Sequence, residues 1–167
     1  MPPRPLLLTG PPAVGKSSVA RALARQHPRS AVVEVDDLRR LVQSGAVPPW
    51  EPREGHRQTR LAARHACLLL SSFAGAGFAV VATDVLLGGA GEVYASQPAP
   101  PLVVHLSVTL EEALRRAASR TVHLTDEEFR RLHREERGAD IADVALDTTR
   151  LSLQELTATV AQAWERG

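Results

Sequence analysis

A loop that can bind phosphate lies near the start of the chain, where two glycines bracket a short segment that ends in lysine and serine. The segment reads Gly10-Pro11-Pro12-Ala13-Val14-Gly15-Lys16-Ser17-Ser18, and the part up to Ser17 fits the pattern G-x-x-x-x-G-K-[ST]. Glycines let the backbone turn its N–H groups inward around an anion. In this pattern the serine hydroxyl binds Mg²⁺ beside the phosphates. The segment therefore predicts a site for Mg·ATP, with every residue from Gly10 to Ser18 as a candidate contact.

Lys16 is the single lysine among the 20 lysine and arginine residues of the chain. Arginine carries a planar fork, whereas lysine is a compact charge on a thin stem, so a narrow phosphate cradle selects lysine. We therefore expect Lys16 to contact the β- and γ-phosphates and to take part in catalysis.

Carboxylates follow two of the apolar runs that are predicted to be strands. Asp36 and Asp37 follow the second run, and Asp84 follows the third. Asp36 is favoured as the base that accepts a proton from a hydroxyl, and Asp37 is kept as a substrate contact. The alternatives are that Asp37 is the base or that the pair only caps a helix. Asp84 is expected in the Mg²⁺ shell with Ser17, although aspartate also suits turns. Val85 rather than glutamate follows Asp84, which favours transfer to a bound acceptor over ATP hydrolysis.

Arginines are expected to supply further contacts. A helix predicted over residues 53–77 carries a stripe of arginines and should be buried elsewhere. Arg53 and Arg57 in this stripe belong either to a solvated face or to an acceptor site. Trp50, just before the helix, is a candidate wall of that acceptor site or a core anchor. In a later segment Arg116 and Arg120 are expected to stabilise the transferred phosphoryl group, with ordinary surface pairing as the alternative.

Composition limits the classes of protein to consider. The 167 residues are 44% hydrophobic and 23% charged, which predicts one globular domain over residues 1–167. A net charge of +1 and an aromatic content of 4% count against a nucleic-acid partner. One cysteine, no signal peptide and no long apolar segment predict a cytoplasmic protein without a membrane partner, either a monomer or a homodimer.

Five apolar runs alternate with helical patterns along the chain, and capping boxes begin helices at Thr109, Thr125 and Ser152. This alternation predicts an α/β fold with a parallel sheet covered on both faces. Ligands of such sheets bind beyond the carboxyl ends of the strands, where the phosphate loop, Asp36 and Asp84 should meet. The predicted strands are Leu6–Thr9, Ala31–Val35, Phe78–Thr83, Leu102–Val108 and Asp143–Leu146.

The phosphate loop, the segment 35–39 and the later arginine-rich run together resemble the P-loop small-molecule kinases. This group of AAA-type ATP-binding domains includes gluconate, shikimate and adenylylsulfate kinases and the chloramphenicol phosphotransferase-like proteins. The resemblance implies a P-loop NTPase of the nucleoside-kinase-like type: a three-layer sandwich with a five-stranded parallel sheet in the order 2-3-1-4-5. It also implies a helical lid over residues 116–138, adenine near Thr149, and Asp36 in the position of the catalytic base of the chloramphenicol phosphotransferase type.

Together these features predict an ATP-dependent phosphotransferase that moves the γ-phosphoryl group of Mg·ATP to a hydroxyl of a small molecule, a metabolite or an antibiotic. Two alternatives stay open: a polynucleotide 5′-hydroxyl kinase and an ATP-binding regulator that transfers nothing. A guanine-specific protein is excluded, because its [NT]-K-x-D motif needs a second lysine. The lid segment has few large apolar residues and is expected to be mobile before ligands bind.

Overall fold

Five parallel strands form one sheet in the computed structural model, which describes residues 2–119 and 124–167. Across the sheet the strands run in the order β2-β3-β1-β4-β5, which confirms the α/β class and the implied strand order. Each observed strand lies within one residue of its predicted bounds. The strands are β1 (Leu6–Thr9), β2 (Ser30–Glu34), β3 (Ala79–Asp84), β4 (Leu102–Ser107) and β5 (Val144–Asp147).

Helices connect the strands and cover both faces of the sheet, as expected for parallel strands. The helix predicted over residues 53–77 is α3. None of the helices in the described ranges is long and apolar enough to cross a membrane. The helices are α1 (Lys16–Ala24), α2 (Val35–Arg39), α3 (Glu54–Gly75), α4 (Ala90–Ala95), α5 (Leu110–Ala118), α6 (Asp126–Glu135) and α7 (Leu153–Arg166), with a short 3₁₀ turn at Gly138–Ile141.

Side chains of β1 alternate between two hydrophobic cores, one on each face of the sheet. Leu6 and Leu8 pack with residues of α1 and α7, whereas Leu7 packs with residues of α3 and α4. Because β1 is buried on both faces, its carboxyl end is rigidly placed, and this end leads directly into the phosphate loop.

Helix α7 closes the first core through Trp164, whose side chain is 3% exposed. The indole N–H of Trp164 donates to the backbone carbonyl of Arg4 at 2.6 Å, and its ring meets His27 edge-on, with 5.0 Å between the ring centroids. These contacts fix the last helix to the residues that precede β1.

Helix α3 is less buried than its sequence predicts. Its small residues, Ala62, Ala63 and Ala66, pack into the second core, but Leu61 and Leu68 are 41% and 68% exposed. The expectation that α3 is buried except along the arginine stripe is therefore wrong, because these two leucines fall on the side that points away from the sheet.

Capping explains where two of the later helices begin. Thr125 and Ser152 each form the complete capping box, in which the side chains of the first and fourth residues bond to each other's backbone N–H. Thr109 accepts a hydrogen bond from the N–H of Glu112, but the Glu112 carboxylate binds Arg116 instead of returning to the cap. The third predicted box is thus only half formed.

Candidate active site

The phosphate loop connects β1 to α1 and requires glycine at two positions. Gly10 has φ +137° and Gly15 has φ +107°, in the left-handed region that favours glycine. A Cβ atom at Gly10 would also overlap the backbone carbonyl of Leu106 in the neighbouring strand. The tight turn therefore places Lys16 at the first position of α1, next to the carboxyl end of the sheet.

The ammonium group of Lys16 is folded back onto the loop. Its Nζ donates to the carbonyl oxygens of Gly10 at 2.7 Å and of Pro11 at 2.9 Å. Burial lowers the pKa of Lys16, while nearby carboxylates, Asp36 first among them, act in the opposite direction. The amine is thus held among oxygen atoms at the place where phosphate oxygens are expected.

Glu34, the last residue of β2, makes the contact with Ser17 that sequence analysis did not predict. The Ser17 hydroxyl donates to Glu34 Oε2 at 2.8 Å, and the Thr83 hydroxyl donates to the same oxygen at 2.7 Å. The other oxygen pairs with Arg21 at 2.9 Å. The sequence did carry a signal, because an acidic residue that ends a parallel strand lies at the ligand-binding edge of the sheet.

Asp84 lies at the same edge, but its carboxylate is directed to other partners. Its Oδ1 accepts from Arg39 at 2.7 Å, and its Oδ2 accepts from the Tyr94 hydroxyl at 2.9 Å. Burial raises the pKa of the fully buried Asp84 carboxyl, and the contacts with Arg39 and Tyr94 oppose that rise. Both oxygens are therefore already used, and the described structure shows no bond from Asp84 to Ser17.

Two ion pairs lie side by side on the short helix α2 and the residue that caps its end, Arg40. Arg39 donates to Asp36 and Arg40 donates to Asp37, in each case at 2.7 Å. Asp36 borders the cleft next to Lys16 and Ser17, whereas Asp37 is not among the residues that line it. Arg39, which sequence analysis missed, bridges Asp36 and Asp84.

A cleft of about 520 Å³ runs from the phosphate loop to a hydrophobic surface. Lys16, Ser17 and Asp36 line one end of this cleft. The apolar part of the lining, which we call the apolar wall, brings together the loop before α3, the residues after β3 and the region of α6. The apolar wall consists of Trp50, Val85, Leu87, Leu124 and Leu132.

Glu136 fastens the end of α6 beneath the phosphate loop and was also missed by sequence analysis. Its carboxylate accepts from the Thr9 hydroxyl at 2.9 Å and from the N–H of Gly138 at 2.6 Å, and it lies 3.0 Å from His105 Nε2. Burial raises the pKa of Glu136, but its bonds to His105, Thr9 and Gly138 outweigh this effect and leave the pKa below its ordinary value. The carboxylate thereby links α6 to the ends of β1 and β4.

Arg116 lies beside the phosphate loop, outside the residues that line the cleft. Its guanidinium donates to the carbonyl of Thr148 at 2.8 Å and to the Thr148 hydroxyl at 3.1 Å, and it reaches the carbonyl of Val14 at 3.4 Å. A second cavity of about 400 Å³ opens here, bordered by Ser18, Thr149 and Arg116. The loop after β5 thus faces the phosphate loop across a space beside Arg116.

The remaining predicted site residues fall into three groups. Trp50 is brought to the cleft. Arg53 and Arg57 are exposed and do not line the cleft, and Arg57 pairs with Glu54 at 3.3 Å on the surface of α3. Arg120 lies outside the described residues.

Oxygen donors at the site suit a hard cation that is shared with phosphate. Across residues 2–119 and 124–167, no cluster of three or more His, Cys, Asp or Glu side chains is arranged to hold a metal alone. Mg²⁺ usually takes one or two protein oxygens and completes its shell with phosphate and water. The Ser17 hydroxyl and the Glu34 carboxylate, 2.8 Å apart, are a donor set of this kind.

A family model for an AAA domain, AAA_33, matches residues 6–136 of the chain. No curated protein matches the sequence significantly.

Solved structures of kinases share the fold over almost the whole chain. A sugar kinase from Janibacter sp. is 19% identical with a TM-score of 0.72, and the match covers 99% of this chain and 95% of that one. APS kinase of Mycobacterium tuberculosis, in complex with AMPPNP and APS, is 23% identical with a TM-score of 0.68, covering 98% and 99%. Shikimate kinase of Acinetobacter baumannii, in complex with shikimate, is 20% identical with a TM-score of 0.63, covering 96% and 92%.

Proposed function

The chain belongs to the AAA_33 family of AAA domains, and from that membership and the geometry of the cleft we propose that it is an ATP-dependent kinase acting on a hydroxyl of a small molecule, either a metabolite or an antibiotic. One observation carries the proposal: a single cleft contains the lysine and serine of the phosphate loop together with the carboxylate of Asp36. A nucleotide site alone would not need a carboxylate at that position, whereas transfer to an alcohol does.

Nucleotide binding is assigned to the phosphate loop and to the cavity beside Arg116. The loop N–H groups surround the phosphates, and the Lys16 amine exchanges the carbonyls of Gly10 and Pro11 for phosphate oxygens. The adenosine part occupies the space next to Thr149, where Arg116 fixes the loop after β5 against the phosphate loop. The M. tuberculosis APS kinase, which shares this fold, was solved with the ATP analogue AMPPNP.

We assign the Mg²⁺ contacts to Ser17 and Glu34. When bound, the ion neutralises charge on the transferred phosphoryl group. Asp84, the residue expected from sequence for this role, instead keeps Arg39 in place through a buried ion pair. A series of hydrogen bonds between Tyr94 and Asp84, between Arg39 and Asp84 and between Arg39 and Asp36 then sets the position of the Asp36 carboxylate.

Asp36 is assigned as the general base. The acceptor hydroxyl donates its proton to a carboxylate oxygen of Asp36, and its oxygen forms the new bond to the γ-phosphorus. The bond between that phosphorus and the β–γ bridging oxygen breaks, and ADP leaves with its charge stabilised by Lys16 and the loop N–H groups. Arg120 is kept as a candidate contact to the transferred group from the lid segment.

Mass spectrometry tests the proposal. The protein is incubated with a metabolite extract and Mg·ATP labelled with ¹⁸O in the γ-phosphoryl group, and labelled phosphate esters are identified. We expect at least one ester that depends on the protein, is absent with Lys16→Ala, and is reduced on the order of 10²-fold or more with Asp36→Asn, which keeps the shape but loses the proton acceptor. Bound AMPPNP without any labelled ester would instead indicate a regulator that transfers nothing.

A further inference from the structure

The apolar wall faces the same cleft as the candidate base, and it indicates what kind of molecule that cleft holds. Resting on the proposed function, we propose that the acceptor alcohol carries an uncharged apolar group of ring size that packs against Trp50 and Leu132. The hydroxyl end of such a molecule lies at Asp36, and its apolar end lies on the wall.

The wall is built from three separate parts of the chain and is contiguous. Val85 and Leu87 follow β3, Leu132 lies on α6, and Trp50 and Leu124 pack against these three. Val85, Leu87 and Leu132 are 9%, 4% and 6% exposed, so they form a firm base, while Trp50 and Leu124 are partly exposed to the cleft. A polyol in this position would lose water from its hydroxyl groups without gaining hydrogen-bond partners, which is costly.

Trp50 is held as a flat face rather than as a loose loop residue. The guanidinium of Arg131, on α6, lies 5.8 Å from the centre of the indole ring, within the range of a cation–π contact. Arg131 is itself paired with Glu135 at 2.9 Å. The ring is therefore held in place within the lining of the cleft, which suits stacking by a ligand ring.

The charges in the described part of the cleft disfavour an anionic acceptor. Of the cations that line it, Lys16 is assigned to phosphate, and Arg40 is paired with Asp37 at the surface. Arg39 already binds two carboxylates, and its remaining Nε–H is buried out of reach of solvent. A carboxylate on the acceptor would be repelled by Asp36 and Asp84, whose charges outnumber the single charge of the Arg39 that binds both.

Three glycosides that differ only in the relevant groups serve as probes. Methyl β-D-glucopyranoside has hydroxyls without an apolar ring, phenyl β-D-glucopyranoside adds the ring, and phenyl β-D-glucuronide adds a carboxylate to the ring compound. Binding of each is measured by isothermal titration calorimetry in the presence of saturating Mg·AMPPNP. We expect the phenyl glucoside to bind about ten- to a hundredfold more tightly than the methyl glucoside, from burial of one aromatic ring. The phenyl glucuronide should bind at least tenfold more weakly than the phenyl glucoside.

Variants identify the surface responsible. Trp50→Ala should bring the affinities of the phenyl and methyl glucosides to within about twofold of each other, whereas Trp50→Phe should keep most of the preference for the phenyl glucoside. Leu68→Ala, at an exposed leucine of α3, should leave both affinities unchanged. Equal affinity of the two glucosides for the unaltered protein, including no measurable binding of either, overturns the inference, as does a phenyl preference that survives Trp50→Ala. Failure of the proposed function is seen separately, as the absence of AMPPNP binding or of any labelled ester.

Discussion

Two neighbouring ion pairs at α2 differ in whether their arginine is buried or exposed. Asp36–Arg39 and Asp37–Arg40 have the same spacing and the same distance of 2.7 Å. The Arg39 side chain is 17% exposed and also binds Asp84, whereas the Arg40 side chain is 70% exposed. The two carboxylates are about equally exposed, 65% for Asp36 and 67% for Asp37, so the difference lies in the arginines. Arg39 is itself anchored by the buried Asp84, whereas an exposed pair such as Asp37–Arg40 contributes at most about 1 kcal/mol to stability.

Arg39→Lys is expected to impair phosphoryl transfer while leaving the nucleotide site intact. Arg39 binds Asp36 and Asp84 through the two terminal nitrogens of its planar guanidinium group. Lysine keeps the charge but has a single nitrogen that cannot span both carboxylates, so Asp36 loses its fixed position. We expect kcat to fall on the order of 10²-fold, as for other small misplacements of a reacting group, with KM for ATP changed less than about threefold. Steady-state kinetics with an identified acceptor measures both quantities.

Arg40→Lys is the matched control, since it alters the equivalent exposed pair one residue along the helix. Its kcat should stay within about twofold of the unaltered protein. Equal losses in the two variants, or near-normal turnover of Arg39→Lys, would show that Arg39 does not position the base.

At the residue scale, the sequence indicates a candidate site where the pattern is contiguous along the chain, but not where folding assembles it. The phosphate loop could be recognised because the residues that contact phosphate lie within one short segment at fixed spacing. Glu34 meets Thr83 from 49 residues away, and Glu136 meets Thr9 from 127 residues away. Periodicity reports which face a residue occupies, not which distant residue it will meet. The partners of Glu34 and Glu136 were therefore not predictable, although the place of Glu34 at the ligand-binding edge was.

Helix α6 is more firmly packed than its composition predicts. Phe129 and Leu132 are 3% and 6% exposed, and Glu136 ties the end of the helix to β1 and β4. A Cβ atom at Gly138 would collide with the side chains of Thr9 and Glu136. The part of the lid segment from α6 onward is thus attached to the strand ends beneath the phosphate loop, which sequence analysis did not foresee.

Glu136→Gln is expected to lower the free energy of unfolding at pH 7 by about 1–3 kcal/mol, the usual cost of disturbing a buried hydrogen-bonded group. The pKa of Glu136 is lowered by folding from an ordinary value of 4.5, so its contribution is complete above that pH and is lost as the pH falls through the lower folded value. Urea denaturation between pH 7 and pH 3 should therefore show a difference between the two proteins that shrinks below about pH 4.5.

The exposed carboxylate Glu165, near the end of α7, gives a control for the general effect of removing a charge. Glu165→Gln leaves the buried network beneath the loop untouched. A constant difference between the unaltered protein and Glu136→Gln across the whole pH range would contradict the assigned role of the carboxylate.

The whole molecule brings its chemistry to one edge because all five strands are parallel. Their carboxyl ends carry the phosphate loop, Glu34, Asp84 and the loop after β5. Alternating strand and helix patterns were enough to predict this edge, since parallel strands need helical crossovers. Trp50 was named from sequence as a candidate wall of the acceptor site, but Leu87 and Leu132 were not, because the meeting of their segments depends on the completed fold.

Contact of bound ligands with α6 should be visible by hydrogen exchange. We expect amides of residues 126–135 to exchange slightly more slowly with Mg·AMPPNP and at least several-fold more slowly once an acceptor is also bound, since the ligand then contacts both the phosphate loop and Leu132. Amides of β3, in the centre of the sheet, serve as the reference and should not change. Exchange of α6 that no ligand alters would contradict contact between the bound acceptor and Leu132.

The chain contains two tryptophans, and the structure places them in unrelated surroundings. Trp164 is enclosed by the first core and bonded to Arg4, while Trp50 borders the cleft beneath Arg131. The fluorescence of Trp164 should therefore change when the protein unfolds, whereas that of Trp50 should change when a ligand occupies the cleft. With Trp164 replaced by phenylalanine, emission comes from the cleft indole, and quenching or a spectral shift would then report acceptor binding without any added dye.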